Sequence, residues 1–271
     1  MNPNKALWEK GDFTQLAACM RDSGADLINS LGVGPGIRVL DLGCGDGTTA
    51  IPAAQAGAQV LGVDIASNLV AAGNARVKDL ELTNIAFQEG DASALNDLAD
   101  DSFDLVVSIF GAMFAPRPQD VAKEMVRVTR PGGRIVMGNW IPGDPTLVAQ
   151  VLTISAAYSP PPPEGFISPM LWGKADEVRA RFAAAGIADA AIATSREIYT
   201  FRADGPPRHF VDLFRTYYGP TMNAFEAAER DGRADALYEE LVALYERENV
   251  STDPQRTEIP AAFLKVVVDV P

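Results

Sequence analysis

Histidine occurs once in the 271 residues and cysteine twice. Cys19 and Cys44 share no metal-ligand spacing with each other or with His209, so no metal site is expected, and two reduced, unpaired thiols are. Long apolar runs are also missing: none approaches the ~20 residues that span a bilayer. The opening residues MNPNKALWEKGDF lack the charged-then-apolar order of a secretory signal. A cytoplasmic protein with no membrane partner is the expectation. Positive charge is scarce, with 23 Lys and Arg against 36 Asp and Glu for a formal net charge of −13. The basic residues are scattered, which argues against DNA or RNA as partner. At 47% hydrophobic and 22% charged, the chain has the make-up of one large α/β core with additions.

Against those absences stands one dense signal. Val39 to Gly47 reads VLDLGCGDG, an apolar strand running into an acid and then into alternate glycines that open a helix. Glycine has no Cβ, so such a turn lets backbone approach a nucleotide-like ligand. About twenty residues on, a second strand (Val60 to Val63) ends in Asp64, placed to accept hydrogen bonds from both ribose hydroxyls. The pair points to an adenosine.

The details depart from a dinucleotide site. In Gly43-Cys44-Gly45-Asp46-Gly47 the third glycine comes two places after the second rather than three. A pyrophosphate would be repelled by Asp41 and Asp46, whereas the α-ammonium of an amino acid would be attracted. S-adenosylmethionine joins adenosine to an amino acid, and S-adenosylhomocysteine is what remains after methyl loss.

The residues Asp41-Leu42-Gly43-Cys44-Gly45-Asp46-Gly47, Gly62-Val63-Asp64 and Gly90-Asp91-Ala92 resemble the first three cofactor motifs of the class I, Rossmann-like methyltransferases. Within that family the chain is most similar to the small-molecule branch that includes the ubiquinone and menaquinone biosynthesis enzymes. The resemblance is specific from Ile37 to about Trp140 and architectural beyond it. It implies an α/β fold whose seven-strand, mostly parallel sheet has an antiparallel last strand and helices on both faces. It also implies a helical cover over 1–36, a cofactor-binding core over 37–140 and a helical lid over 202–258, with a Pro-rich insertion at 141–172. By the same resemblance Asp91 would meet the adenine amine, Ala92 would offer its N–H to the ring, and Trp8 would gate the cofactor. Capping of the short segment Ala92–Leu95 is an equally open role for Asp91. Gly43, Cys44, Gly45 and Gly47 would contact the amino-acid end, Asp41 its ammonium, Asp64 the ribose and Ile65 the adenine face.

Periodicity fills in the frame. Strands are expected at Ile37–Leu42, Gln59–Val63, Ile85–Gln88, Phe103–Ile109 and Arg134–Trp140, with helices near Thr48–Gln55, Asn68–Asp79 and Asp120–Thr129. Before them, Leu16, Met20, Leu27, Ile28 and Leu31 mark one helix, capped by Asp12 and Gln15. Pro52 should loosen the first turn of its helix. Pro160 to Pro163 should run stiff and extended. Later segments read as helix at Ala175–Ala185, extended chain over 188–201, helices around Pro207–Tyr217, Asn223–Asp231 and Ala234–Glu248, and a last strand at Phe263–Val270.

Candidate chemistry is sparse. After the fourth strand the segment SIFGAMFAP lacks the Asn- or Asp-Pro-Pro-aromatic motif that related enzymes use on planar amines. Phe110, Met113 and Phe114 would instead wall the transferring methyl group or belong to the core. His209 could remove a proton or simply cap its helix, and Tyr217 is a comparable candidate. Tyr218, Trp140 and Trp172 are candidate contacts for a flat or hydrophobic small acceptor. Loss of the sulfonium charge in an in-line displacement favours an enclosed site, and orientation alone supplies up to roughly 7–11 kcal/mol. Two rival readings share these features: a NAD(P)-dependent oxidoreductase, and a non-catalytic module that binds S-adenosylmethionine. Homo-oligomerisation is left open.

Overall fold

The computed structural model describes residues 4–271, so the first three residues of the expected cover lie outside it. Seven strands make one sheet in the order β3-β2-β1-β4-β5-β7-β6. They are β1 (Arg38–Leu42), β2 (Gln59–Asp64), β3 (Ile85–Glu89), β4 (Phe103–Ile109), β5 (Thr129–Trp140), β6 (Ile192–Asp204) and β7 (Arg256–Asp269). β1 to β5 are parallel, and β7 runs antiparallel between β5 and β6. This is the Rossmann-like, mostly parallel sheet that the pattern predicts. Val39, Leu40, Leu42, Val106 and Val107 are fully buried, as expected of short apolar strands covered on both faces. From β1 the chain winds out to β3, returns to β4 and winds the other way. The strand order therefore reverses between β1 and β4, where open α/β sheets leave a ligand crevice at their carboxyl ends.

Eleven α-helices are found among the described residues. Before β1 come α1 (Lys5–Trp8), α2 (Thr14–Ala18) and α3 (Arg21–Ser30); the core adds α4 (Ala50–Gln55), α5 (Ser67–Asp79) and α6 (Pro118–Val128). Next are α7 (Leu147–Ala157) and α8 (Ala175–Ala184), and between β6 and β7 stand α9 (Pro207–Tyr217), α10 (Gly219–Arg230) and α11 (Ala234–Glu248).

Four departures from the sequence reading have physical causes. The single helix expected across Leu16 to Leu31 breaks at Cys19 and Met20, where β6 takes the Cys19 carbonyl and also bonds the Met20 carbonyl that still accepts from Gly24 N–H. Arg202 N–H donates to Cys19 O at 2.9 Å and the Tyr199 hydroxyl to Met20 O at 2.9 Å. Pro52 loosens the first turn and shortens its helix: Ile51 N–H donates to Gly47 O at 3.1 Å and Ala53 N–H to Thr49 O at 3.3 Å, but Pro52 has no N–H for Thr48 O, so α4 starts at Ala50 rather than at Thr48. The Pro-rich insertion contains α7, whose sequence LVAQVLTISAA is apolar nearly all round and so shows no amphipathic stripe. Only its proline run, exposed at the surface, is extended. β7 begins seven residues before Phe263, at Arg256, despite Pro260. Strand β5 pairs only as far as Phe263, so Pro260 lies where β7 has β6 as its one neighbour.

Candidate active site

The loop after β1 carries the site. Gly43, Gly45 and Gly47 have φ of +67°, +55° and +94°. Gly43 lies backbone to backbone against Gly111, the second residue after β4. A Cβ on Gly43 would stand 2.5 Å from Gly111 Cα, and one on Gly111 would stand 2.3 Å from Gly43 O. This contact closes the floor of the crevice. Buried Ser108 reinforces it: its hydroxyl donates to Leu42 O at 2.7 Å and accepts from Ala112 N–H at 2.9 Å. Between them Phe110 takes a left-handed φ of +62°, held by its N–H on Gly138 O and by its ring stacked 3.6 Å from that of Trp140.

The loop's own N–H groups are largely engaged. Gly43 and Cys44 donate to Val63 O at 2.8 and 3.3 Å, Gly45 to Asp64 Oδ2 at 2.8 Å, and Gly47 to Cys44 O at 3.0 Å. A diphosphate site needs such donors free at the helix start, whereas here the glycines give close approach instead.

Three carboxylates surround the loop in different states. Asp41 is buried; Thr49 donates its hydroxyl to Oδ2 at 2.5 Å, while Oδ1 has no hydrogen-bond partner. Burial, with Asp64 nearby, pushes its carboxyl up to about 7. Asp64 accepts Gly45 N–H on one oxygen and Ala66 N–H at 2.9 Å on the other. Burial raises its carboxyl and these N–H groups oppose the rise. Asp46 differs from the sequence reading. Rather than standing as a free negative charge, it is clasped by Arg21 at 2.9 Å and Arg76 at 3.2 Å.

Above the loop is a cavity whose empty space, open mouth included, is about 940 Å³. Gly43, Cys44, Gly45, Asp64, Ile65, Asp91, Ala92 and Phe110 line it, as do Trp8 and Phe114. The N-terminal segment covers it. The Trp8 ring packs 4.9 Å from Phe114 and 5.8 Å from Phe13, Glu9 accepts from Ser67, and Lys5 pairs with Glu89.

A methyltransferase-domain family model matches residues 40–137. An uncharacterized protein of Mycobacterium tuberculosis is 34% identical over 223 residues, covering 82% of this chain and 79% of its own. The chain belongs to the class I S-adenosylmethionine-dependent methyltransferases. A demethylmenaquinone methyltransferase of Renibacterium salmoninarum is 38% identical over 114 residues, 42% of this chain and 46% of that one. A phosphoethanolamine N-methyltransferase 2 of Haemonchus contortus, solved with phosphomonomethylethanolamine and S-adenosylhomocysteine, shares the fold. Its TM-score is 0.58 at 18% identity, over 92% of this chain and 52% of that one. The oxidoreductase and non-catalytic readings fall with this assignment.

S-adenosylmethionine is the methyl donor of this methyltransferase, and the residues suit it. An ionised carboxylate offers about four lone-pair sites; Asp64 has one N–H on each oxygen, which leaves acceptors for two ribose hydroxyls. The orphaned Oδ1 of Asp41 is of the sign and polarity an ammonium requires. Asp91 caps its turn, Oδ1 accepting the Ser93 N–H and hydroxyl, and the residue also lines the cavity.

Other expected residues lie elsewhere. Asp41 and Gly47 sit behind the wall; a Cβ on Gly47 would stand 2.7 Å from the Phe87 ring, so its role is packing. Of the residues read as acceptor contacts, Phe114 lines the cavity, while Met113, Trp140, Tyr218 and Trp172 are buried core. Trp172 packs on Phe182 beneath the Arg181 guanidinium, 4.4 Å from its ring. Tyr218 stands behind Trp8 and Phe13 at 6.2 Å from each. His209 is exposed on the first turn of α9 and Tyr217 is half-buried at that helix's end, both outside the lining. Thr49, Met20 and Tyr199 escaped the sequence reading, because only folding brings α3 and the distant strand β6 to the loop.

Two measurements follow from this geometry. In the free protein burial keeps a proton on Asp41 up to about pH 7, and an ammonium on the cavity side of the loop favours its release. S-adenosylhomocysteine affinity should therefore rise, by at most about tenfold, from pH 6 to pH 8. Calorimetry at the two values checks this, and Asp41→Asn should abolish the dependence. Second, Trp140 and Trp172 are 4% and 1% exposed, so half-buried Trp8 is the tryptophan that meets the cavity. Titration with S-adenosylhomocysteine should change the emission of the wild type and leave that of Trp8→Phe nearly constant.

Proposed function

We propose that this methyltransferase methylates a small, apolar, aromatic acceptor and does so chiefly by positioning. One observation carries the reading: away from the glycine loop the cavity wall is mostly apolar, with Trp8, Phe13, Met20, Ile109 and Phe114 beside polar Asn4 and Tyr199, and no Lys, Arg or His stands among the described lining residues. Such a wall suits a flat ring, and it offers an ordinary alkylamine no carboxylate beyond those on the donor side. The likeness to a demethylmenaquinone methyltransferase leans the same way.

When bound, the donor supplies a methyl group activated by a positively charged sulfur. Gly43 and Gly45 allow close approach, Asp64 orients the ribose, Asp41 lends negative charge to the ammonium from behind the loop, and Trp8 with Phe114 keeps water out. Exclusion of water and fixed orientation are the terms that methyl transfer needs most. Tyr199 is a poor base, because burial and nearby Asp41 push its phenol far up and its proton is already on Met20 O. The acceptor must then lose its own proton readily, as phenols, hydroquinones and enols do.

The test is methyl transfer from isotope-labelled S-adenosylmethionine to a panel of phenols, hydroquinones, thiols and alkylamines, read by mass spectrometry. Turnover confined to aromatic hydroxyl or enol acceptors, faster for the more acidic ones, supports the proposal. Turnover confined to alkylamines overturns it.

A further inference from the structure

Between β3 and β4 the chain from residue 90 to residue 102 forms no helix or strand, yet Gly90, Asp91 and Ala92 at its start line the cavity. A loop without a ladder needs other partners for its N–H and C=O groups. One ion pair on α6 supplies them. Glu124 Oε2 accepts the Leu95 N–H at 2.6 Å. Arg127 donates from Nη2 to Leu95 O and from Nη1 to Leu98 O, both at 2.8 Å, and Nη1 also reaches Asp100 Oδ1 at 2.6 Å. Its Nε and Nη2 meet the two Glu124 oxygens, each at 2.8 Å. Every nitrogen of the guanidinium is therefore engaged, and neither residue is part of the cavity lining. Just before α6, Arg117 Nη2 donates to Ser93 Oγ at 3.0 Å, and that hydroxyl donates to Asp91 Oδ1 at 2.6 Å.

This side of the cavity is thus braced from behind by α6. We infer that Glu124 and Arg127 are positioning residues for the donor's base: by fixing Leu95 and Leu98 they set where Asp91 and Ala92 stand, and so how strictly the protein demands adenine. Adenine presents an amine to the Asp91 carboxylate and a bare ring nitrogen to the Ala92 N–H. In hypoxanthine an oxygen replaces that amine and the neighbouring ring nitrogen carries a proton, so both positions have the wrong polarity. Such discrimination depends on short, aligned contacts and fades when the loop can drift. A planar guanidinium fork holds two carbonyls and a carboxylate at once, which a lysine ammonium cannot do in the same geometry. The inference rests on the donor and on its adenine lying against Asp91 and Ala92, and is independent of the acceptor reading.

Calorimetry with two probes that differ only in the base separates this role from a merely structural one. S-adenosylhomocysteine should bind the wild type about tenfold or more tighter than S-inosylhomocysteine. Arg127→Met should cut that preference to about threefold or less, with the loss falling mainly on S-adenosylhomocysteine. Arg127→Lys, which keeps the charge and loses the fork, should fall between and covers the case of a Met variant that does not fold. Arg130→Met, which breaks the pair with Asp104 at the start of β5, should leave the preference as in the wild type. An unchanged preference in both Arg127 variants, with the two probes weakened equally or not at all, overturns the inference, as does a wild type that binds both probes alike. Absence of S-adenosylhomocysteine binding by the wild type would reject the donor itself, and the inference with it.

Discussion

Replacing Gly43 by alanine is expected to unfold the mouth of the cavity and to abolish measurable donor binding. The new methyl group would lie 2.5 Å from Gly111 Cα, 2.7 Å from its carbonyl carbon and 3.0 Å from Ala112 N. All three atoms are backbone, so no side chain can swing aside. The left-handed φ of +67° adds roughly 1–2 kcal/mol for any residue with a Cβ, and forced overpacking adds about 1–3 kcal/mol. A total near 3–4 kcal/mol is a large part of the roughly 5–15 kcal/mol that holds a typical domain together. It should be seen as a lower urea midpoint at constant slope. Relief requires the β1 and β4 loops to separate, and these loops form the floor under the donor. Gly45→Ala is the control: its φ is +55° but nothing lies within 4 Å of the added Cβ, so the cost should be only the backbone term. Equal midpoints for the two variants would mean that the Gly43–Gly111 contact does not join the loops.

The second large effect is on affinity alone. Asp64→Ala removes the group assigned to both ribose hydroxyls and also strips Gly45 and Ala66 of the acceptors of their N–H groups. Hydrogen bonds to a charged group are worth about 1.5–3 kcal/mol each. Even one such bond lost in full predicts S-adenosylhomocysteine binding weaker by about 10- to 150-fold. Asp64→Asn, which keeps one acceptor oxygen, should fall between. Without ligand, burial works against the Asp64 charge, but an amide can accept from only one of the Gly45 and Ala66 N–H groups, so Asp64→Asn should melt below wild type and above Asp64→Ala. Calorimetry and thermal melts on the same samples check both halves. Undiminished affinity in Asp64→Ala would remove the carboxylate from the ribose.

How far the site was legible follows from the distance over which each feature is encoded. Asp64 and the glycine loop announce themselves because a strand, a tight turn and a helix are local patterns with narrow residue requirements. The role of Asp46 was misread for the opposite reason. Its two partners stand 25 and 30 positions away in sequence, and simple charge counting in the loop could not see them. The acceptor wall was over-read. Trp140, Trp172 and Tyr218 are apolar or amphipathic in any context, and only packing decides whether such a ring faces a cavity or a core. Phe110 and Trp140 show the difference, since they stack on each other yet only Phe110 reaches the lining.

By itself the sequence determined a parallel α/β core, an acid at the end of its second strand and a loop of close backbone approach, since alternating strand and helix periods and glycine spacing act within a few residues. Tertiary structure decided the charge state of the loop, the composition of the cavity wall and the break between α2 and α3. Each of those depends on contacts between residues far apart in the chain, where burial moves carboxyl groups such as Asp41 upward and distant arginines neutralise Asp46.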